Sequence, residues 1–258
     1  MFDNTVTRFP PGLNNNRESG TLSDMYVPDR IGKVHEYSQD FDQFIGGDWV
    51  STGAGTAALV AGDGGLLAIT SAVSAFQSVQ KTPAHFTNTK AFRTWFRHKA
   101  QLDSLLGTVL MGLLNVTVTP LTPASQTDGI YFTSVVTTGA LSGNISVGGV
   151  ITTVALVNAA GAACSIVPGS FFTLEAYYDG GCYNAAPNGR IIFQASGPGV
   201  NGVARAEIAL PAGTTFPGAT NLTETLVVNA TTAVARVLTV DQVYTAKDQS
   251  NINATPAF

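Results

Sequence analysis

From Asp40 onward the chain runs in short apolar stretches broken every eight to ten positions by Gly, Asn, Asp or Pro. That rhythm predicts short antiparallel strands in a two-sheet sandwich, not helices. Residues 56–61 and 65–70 flank Gly62-Asp63-Gly64, a hairpin signal because Gly tolerates the positive φ of tight turns. Further strands are expected at 75–81, 91–100, 107–118, 130–136, 144–148, 150–157, 171–178, 189–195, 222–229 and 233–246. Gly148-Gly149 is a second two-residue turn, and 102–106 could form a short helical turn. In the last strand Val234, Arg236, Leu238, Val240 and Gln242 alternate against Ala235, Val237, Thr239, Asp241 and Val243. About a dozen strands result, the number expected of one large sandwich.

The ends read differently. Residues 1–39 contain Pro10, Pro11, Pro28 and the run Asn14–Asn16, with no lasting period of 2 or 3.6. They also carry Phe2, Phe9, Leu13, Leu22, Met25, Tyr26 and Val27, residues in which disordered segments are poor. This predicts an extended N-terminal arm that orders against a neighbouring subunit, with Arg8 as a further contact. The sandwich is expected over 40–248, followed by a polar tail over 249–258.

Composition narrows the function. Hydrophobic residues are 45% of the 258, enough for a sizeable core, but charged residues are only 12%, about half the usual share. A surface so poor in charge is covered by Thr, Ser, Asn, Gln and Gly, or by partners. The net charge of −4 opposes nucleic-acid binding, which needs a basic patch. In KAFRTWFRHK (90–99) strand alternation places Phe92, Thr94 and Phe96 on one face and Arg93, Trp95 and Arg97 on the other. No apolar run is long enough to span a bilayer as a helix. No positive region followed by an apolar run opens the chain, so synthesis in a cytoplasm is expected.

Candidate chemistry is sparse. His35, His85 and His98 lie in unrelated contexts, without metal-ligand spacing or a neighbouring nucleophile. No GxSxG is present, and Gly53-Ala54-Gly55 opens a strand, not a phosphate-binding helix. Glu175 and Asp179 are the candidate carboxylate pair of a glycosidase or lyase, although Asp-Gly at a strand end normally marks a turn. Asp40, Asp42, Asp48 and Asp63 carry oxygen ligands suited to calcium but lack EF-hand spacing. Cys164 and Cys182 could form one disulfide but are not a disulfide framework, and two free or half-buried thiols without a special role are expected. The Asn-x-Thr/Ser sites at Asn115, Asn144, Asn221, Asn229 and Asn253 are those expected by chance in a Thr-rich chain. Tyr177, Tyr178 and Tyr183 cluster around one turn and form a candidate sugar-binding platform or a packed core group. No cofactor or metal is expected.

Over most of its length the chain resembles tailed-bacteriophage capsid decoration (cement) proteins. The motifs are TRFPPG (7–12), HEYSQDFDQFIGGDWV (35–50), ALVAGDGGLLAIT (58–70), VQKTPAHF (79–86), KAFRTWFR (90–97), DGIYF (128–132), FFTLEAYYDG (171–180) and VARVLTVDQVYTAKD (234–248). The resemblance implies an all-β jelly-roll sandwich, concanavalin-like or laminin-G-like, without enzymatic activity. It also implies a virion protein on the outer capsid surface, bound to the major capsid protein and to itself as a homotrimer or homodimer. A carbohydrate-binding module for host or environmental glycans is the alternative, since such sandwiches also bind sugars.

Overall fold

The computed structural model describes residues 34–62, 64–84, 86–87, 93–179, 189–210 and 220–248. Seventeen strands follow in chain order. They begin with β1 (Val34–Gln39), β2 (Trp49–Gly53), β3 (Thr56–Val60), β4 (Leu66–Thr70), β5 (Phe76–Lys81) and β6 (Phe86–Thr87). Next come β7 (Arg93–Leu102), β8 (Gly107–Asn115), β9 (Gly129–Ser134), β10 (Leu141–Val147), β11 (Val150–Ala155) and β12 (Val157–Asn158). The last are β13 (Phe171–Asp179), β14 (Arg190–Ser196), β15 (Ala204–Ala209), β16 (Asn221–Ala230) and β17 (Val237–Asp248). A single 3-10 turn, Pro123–Ser125, is the only helical element among the described residues.

Two antiparallel sheets result. The first runs β12-β15-β14-β13-β7-β17-β4-β3, with β1 also paired to β17. The second runs β11-β10-β9-β8-β16-β5-β2, with β6 also paired to β16. The expected all-β two-sheet sandwich is the fold. Its boundary lies earlier than expected: Val34–Gln39, assigned to the arm from sequence, pairs with β17 from Val34 opposite Asp248 to Gln39 opposite Val243. The arm contacts expected at Phe2, Arg8, Phe9, Leu13, Leu22, Met25, Tyr26 and Val27 lie outside the described residues.

Local chemistry explains the turns. Gly148 and Gly149 have φ of +56° and +83° and join Val147 to its partner Val150, the two positive angles of a type I′ hairpin. β3 and β4 pair directly, with Val60 opposite Leu66. Residues 103–106 form a turn closed by Gly107 N–H donating to Ser104 O at 3.4 Å, with no helix. The strands β15 and β1 gave weak sequence signals because ARAEIA is Ala-rich and VHEYSQ is half polar.

A bulge in β17 changes the predicted alternation. The register against β7 slips between Val240 and Gln242, so Leu238, Val240 and Val243 all enter the core. Without the extra residue, Val243 would share a face with Val237 and Thr239 and point out of the sandwich. The same slip carries Thr245 inward and Tyr244 outward.

The core lies between the sheets. Phe96 of β7 meets Phe132 of β9 edge-on at 6.1 Å, and Phe132 meets Phe193 of β14 edge-on at 5.2 Å. Three rings from alternating sheets thus interlock in the edge-to-face geometry that aromatic quadrupoles favour. Gly143 of β10 makes room for them, because a Cβ there would stand 2.4 Å from the Phe193 ring.

Candidate interaction faces

The outer face of the first sheet gathers charge in register. Arg205 of β15, Gln194 of β14, Glu175 of β13, Arg97 of β7 and Tyr244 of β17 lie opposite one another across five strands. Arg205 Nε donates to Gln194 Oε1 at 2.7 Å, and Gln194 Nε2 donates to Glu175 Oε2 at 3.5 Å. Arg97 Nε stands 3.9 Å from Glu175 Oε1. The adjacent row runs Glu207, Ile192, Tyr177, Trp95, Ala246 and Glu36. Its middle members join Tyr244 in a buried apolar group separate from the main core. Trp95 and Tyr244 rings lie 4.7 Å apart, and Tyr244 Oη donates to Glu36 Oε2 at 3.2 Å. Burial pushes the Tyr244 hydroxyl well above its ordinary range, with Glu36 adding to the shift.

This face alternates donors and acceptors around an aromatic floor, but its centre is closed from solvent. Glu175 and Gln194 are buried, while a rim that includes Glu36, Arg97, Lys99, Arg190, Arg205 and Glu207 reaches water. The Trp95 indole N–H is buried without a hydrogen-bond partner.

The sequence candidates fare unevenly. Thr94 and Phe96 do face away from Trp95 and Arg97, as alternation required. Glu175 and Asp179 share a strand and a face, but four residues of strand separate them by about 13 Å. Glycosidase carboxylates stand about 5–9.5 Å apart, so these two do not form such a pair. Tyr177 and Tyr178 point to opposite sides: Tyr177 joins the Trp95 group and Tyr178 the main core, both buried. They therefore share no platform, and Tyr183 lies outside the described residues. Among the described residues no group of three His, Cys, Asp or Glu could hold a metal ion. Asp63 and His85 lie outside that set. Cys164 is a buried free thiol, and Cys182 is outside the described residues.

One long interval of the chain is nearly without charge. Between Asp103 and Glu175 the single ionisable side chain is Asp128, apart from the neutral Tyr131 and Cys164. This span builds β8 to β11, half the strands of the second sheet, and β12 at one end of the first. Asp128 itself is used within the fold: Thr220 Oγ1 donates to it at 2.9 Å and Gly148 N–H at 3.3 Å. Among the described residues, seven of the fourteen exposed large apolar ones fall in the same span, Val150 at 71% and Val118 at 69% among them. No motif marks such a surface; its signal in the sequence is a long interval without Lys, Arg, Asp or Glu.

No model of a known protein family matches the sequence, and no curated protein does. Solved structures do. The lectin UEA-II complexed with galactose matches at TM-score 0.55 and 10% identity, over 82% of this chain and 98% of that one. An endo-1,3-beta-glucanase from Streptomyces sioyaensis matches at 0.53 and 12%, over 87% and 100%. The CBM2 module of the evolved Dit of Lactobacillus casei BL23 phage J-1 matches at 0.50 and 10%, over 83% and 96%. At these identities the likeness is one of fold: an antiparallel, lectin-like jelly-roll sandwich shared by binders and an enzyme.

Proposed function

We propose that this protein is a non-enzymatic structural protein of a bacteriophage virion, a decoration protein that docks on the shell of major capsid protein and stabilises it against packaged DNA. The observation that carries this reading is the interval between Asp103 and Glu175, in which Asp128 is the single charged side chain and seven large apolar residues are exposed. A surface without charge that leaves apolar side chains in water suits a partner. Covering it contributes affinity once the entropy cost of docking is exceeded. The sequence motifs supply the phage resemblance, and the phage J-1 module offers a fold precedent within a phage protein. In this reading the chain is made in the bacterial cytoplasm, resides on the outer capsid and associates with itself as a closed cyclic oligomer.

The decisive experiment is co-sedimentation of the full chain with empty heads of its phage, followed by heating. Binding that delays head disruption is the expected result. Absence of binding, with unchanged heat resistance, overturns the reading.

A second reading, glycan recognition on the virion, is favoured by the mixed-charge row over Trp95 on the first sheet. A glycan array separates the two. Sugar binding lost in Arg97→Ala and Arg205→Ala, together with failure to bind heads, would replace the capsid reading.

A further inference from the structure

The two ends of the first sheet are not equally guarded. β12 is only two residues long, and short edge strands resist pairing. β3 ends the first sheet with five residues, TAALV, that contain no charge, Pro or Gly. It pairs with β4 on one side; its other side has no ladder among the described residues. The surrounding stretch from Trp49 to Gly62 also lacks any charged residue. Edge strands are usually protected by Lys, Pro, a bulge or inward charge, and β3 has none of these.

Its side chains are incomplete in a specific way. Ala57 lies opposite buried Ile69 and Leu59 opposite buried Leu67, so both belong to the inward face. Ala57 packs on the core, yet Leu59 remains 43% exposed. The inner layer stops one strand short of covering it. On the other face Val60 is 42% exposed.

We propose that β3 pairs antiparallel with β3 of a second copy of this chain, joining two first sheets into one continuous sheet across a two-fold axis at Ala58. A two-fold normal to the sheet preserves faces, so residues facing each other must share parity, and Ala58 opposite Ala58 gives full overlap. Ala57 then meets Leu59, a small residue against a large one, and Thr56 meets Val60, a β-branched pair. Each half-exposed Leu59 gains the neighbour that its own sheet lacks. No charges meet. The partner is a second copy because the strand is complementary to itself in volume and polarity. An interface of stable size buries about 1,200–2,000 Å², more than one short strand provides, so the adjacent uncharged β2, with Val50 exposed, contributes as well. The inference rests on strand geometry alone and holds whether or not the capsid reading does.

The test is the mass of the full chain in solution by light scattering. Wild type is expected to be dimeric, and Ala58→Lys, which sets two lysines face to face, monomeric with an unchanged far-ultraviolet spectrum. Mixing Ala58→Lys with Ala58→Glu is expected to restore a dimer containing one of each. Ala58→Cys is expected to form a cross-linked dimer on oxidation. A monomeric wild type overturns the proposal, as does an oligomer that Ala58→Lys leaves intact. Should Ala58→Lys fail to fold, absence of the Ala58→Cys cross-link would still overturn it.

Discussion

His98 of β7 and Glu224 of β16 meet across the core, Nε2 to Oε2 at 2.6 Å, each with no solvent exposure. The Thr245 hydroxyl donates to the other carboxylate oxygen of Glu224. This contact therefore links the two sheets through polar groups within the core. Tyr37 lies close by, with the Lys81 ammonium 5.4 Å from its ring. Removing Glu224 leaves both the imidazole and the Thr245 hydroxyl buried without it. Glu224→Ala is expected to lower unfolding free energy by about 3–5 kcal/mol, the usual effect of taking one member from a buried pair. Urea denaturation measures this; an Ala variant as stable as wild type would sink the account.

Three tyrosines set the alkaline limit. Tyr37, Tyr131 and Tyr244 are each raised well above their ordinary 10.0, with burial the largest cause. Below pH 10 these groups are protonated in both folded and unfolded chains and contribute no pH dependence. Above it the unfolded chain loses protons that the folded one retains, so stability falls as pH rises. Phenolate absorbance should therefore grow in two parts, with the buried tyrosines ionising only as the fold is lost. A single smooth titration with the far-ultraviolet spectrum intact would contradict this.

Cys164 should be chemically silent in the native protein. Burial pushes its thiol up from 9.0 to about 11, and its Sγ lies 3.5 Å from Gly202 O. The thiolate is the reactive form, so little nucleophile is present near neutrality and access is blocked as well. Alkylation with iodoacetamide, read by peptide mass mapping, should modify Cys164 only after denaturation. Modification of the folded chain at an ordinary thiol rate would refute the burial argument.

Gly143 should tolerate no side chain. A methyl group there collides with the ring of Phe193 at 2.4 Å, inside the Phe96, Phe132 and Phe193 stack. Gly143→Ala is expected to cost about 1–3 kcal/mol through overpacking. Pairing it with Phe193→Leu should recover part of that loss; strictly additive effects in thermal melts would mean the two sites do not interact.

Much of the framework was legible before the structure. Strands such as Phe171–Asp179 carry dense β-formers, and paired glycines at 148 and 149 announce their turn. Residues 34–39 were not legible as a strand because their partner, β17, lies more than two hundred positions away in the chain. Nor was the face of Val243, since the bulge after Val240 shows no Gly or Pro to betray it. Tyr177 and Tyr178 looked like one cluster in the sequence, but consecutive strand residues point to opposite faces.

The sequence by itself determined the fold class, the strand periods and the scarcity of charge, because these depend on residue type and local spacing. The sheet order, the meeting of His98 with Glu224 and the exposed edge at Thr56–Val60 came only from the tertiary structure. Strand pairing is chosen by how distant apolar faces fit together, and that competition has no local signature. The low charge first suggested a surface made for neighbours. The fold divided it into a nearly uncharged run from β8 to β12, an unguarded edge and a charged face on the first sheet, and so decided where neighbours could bind.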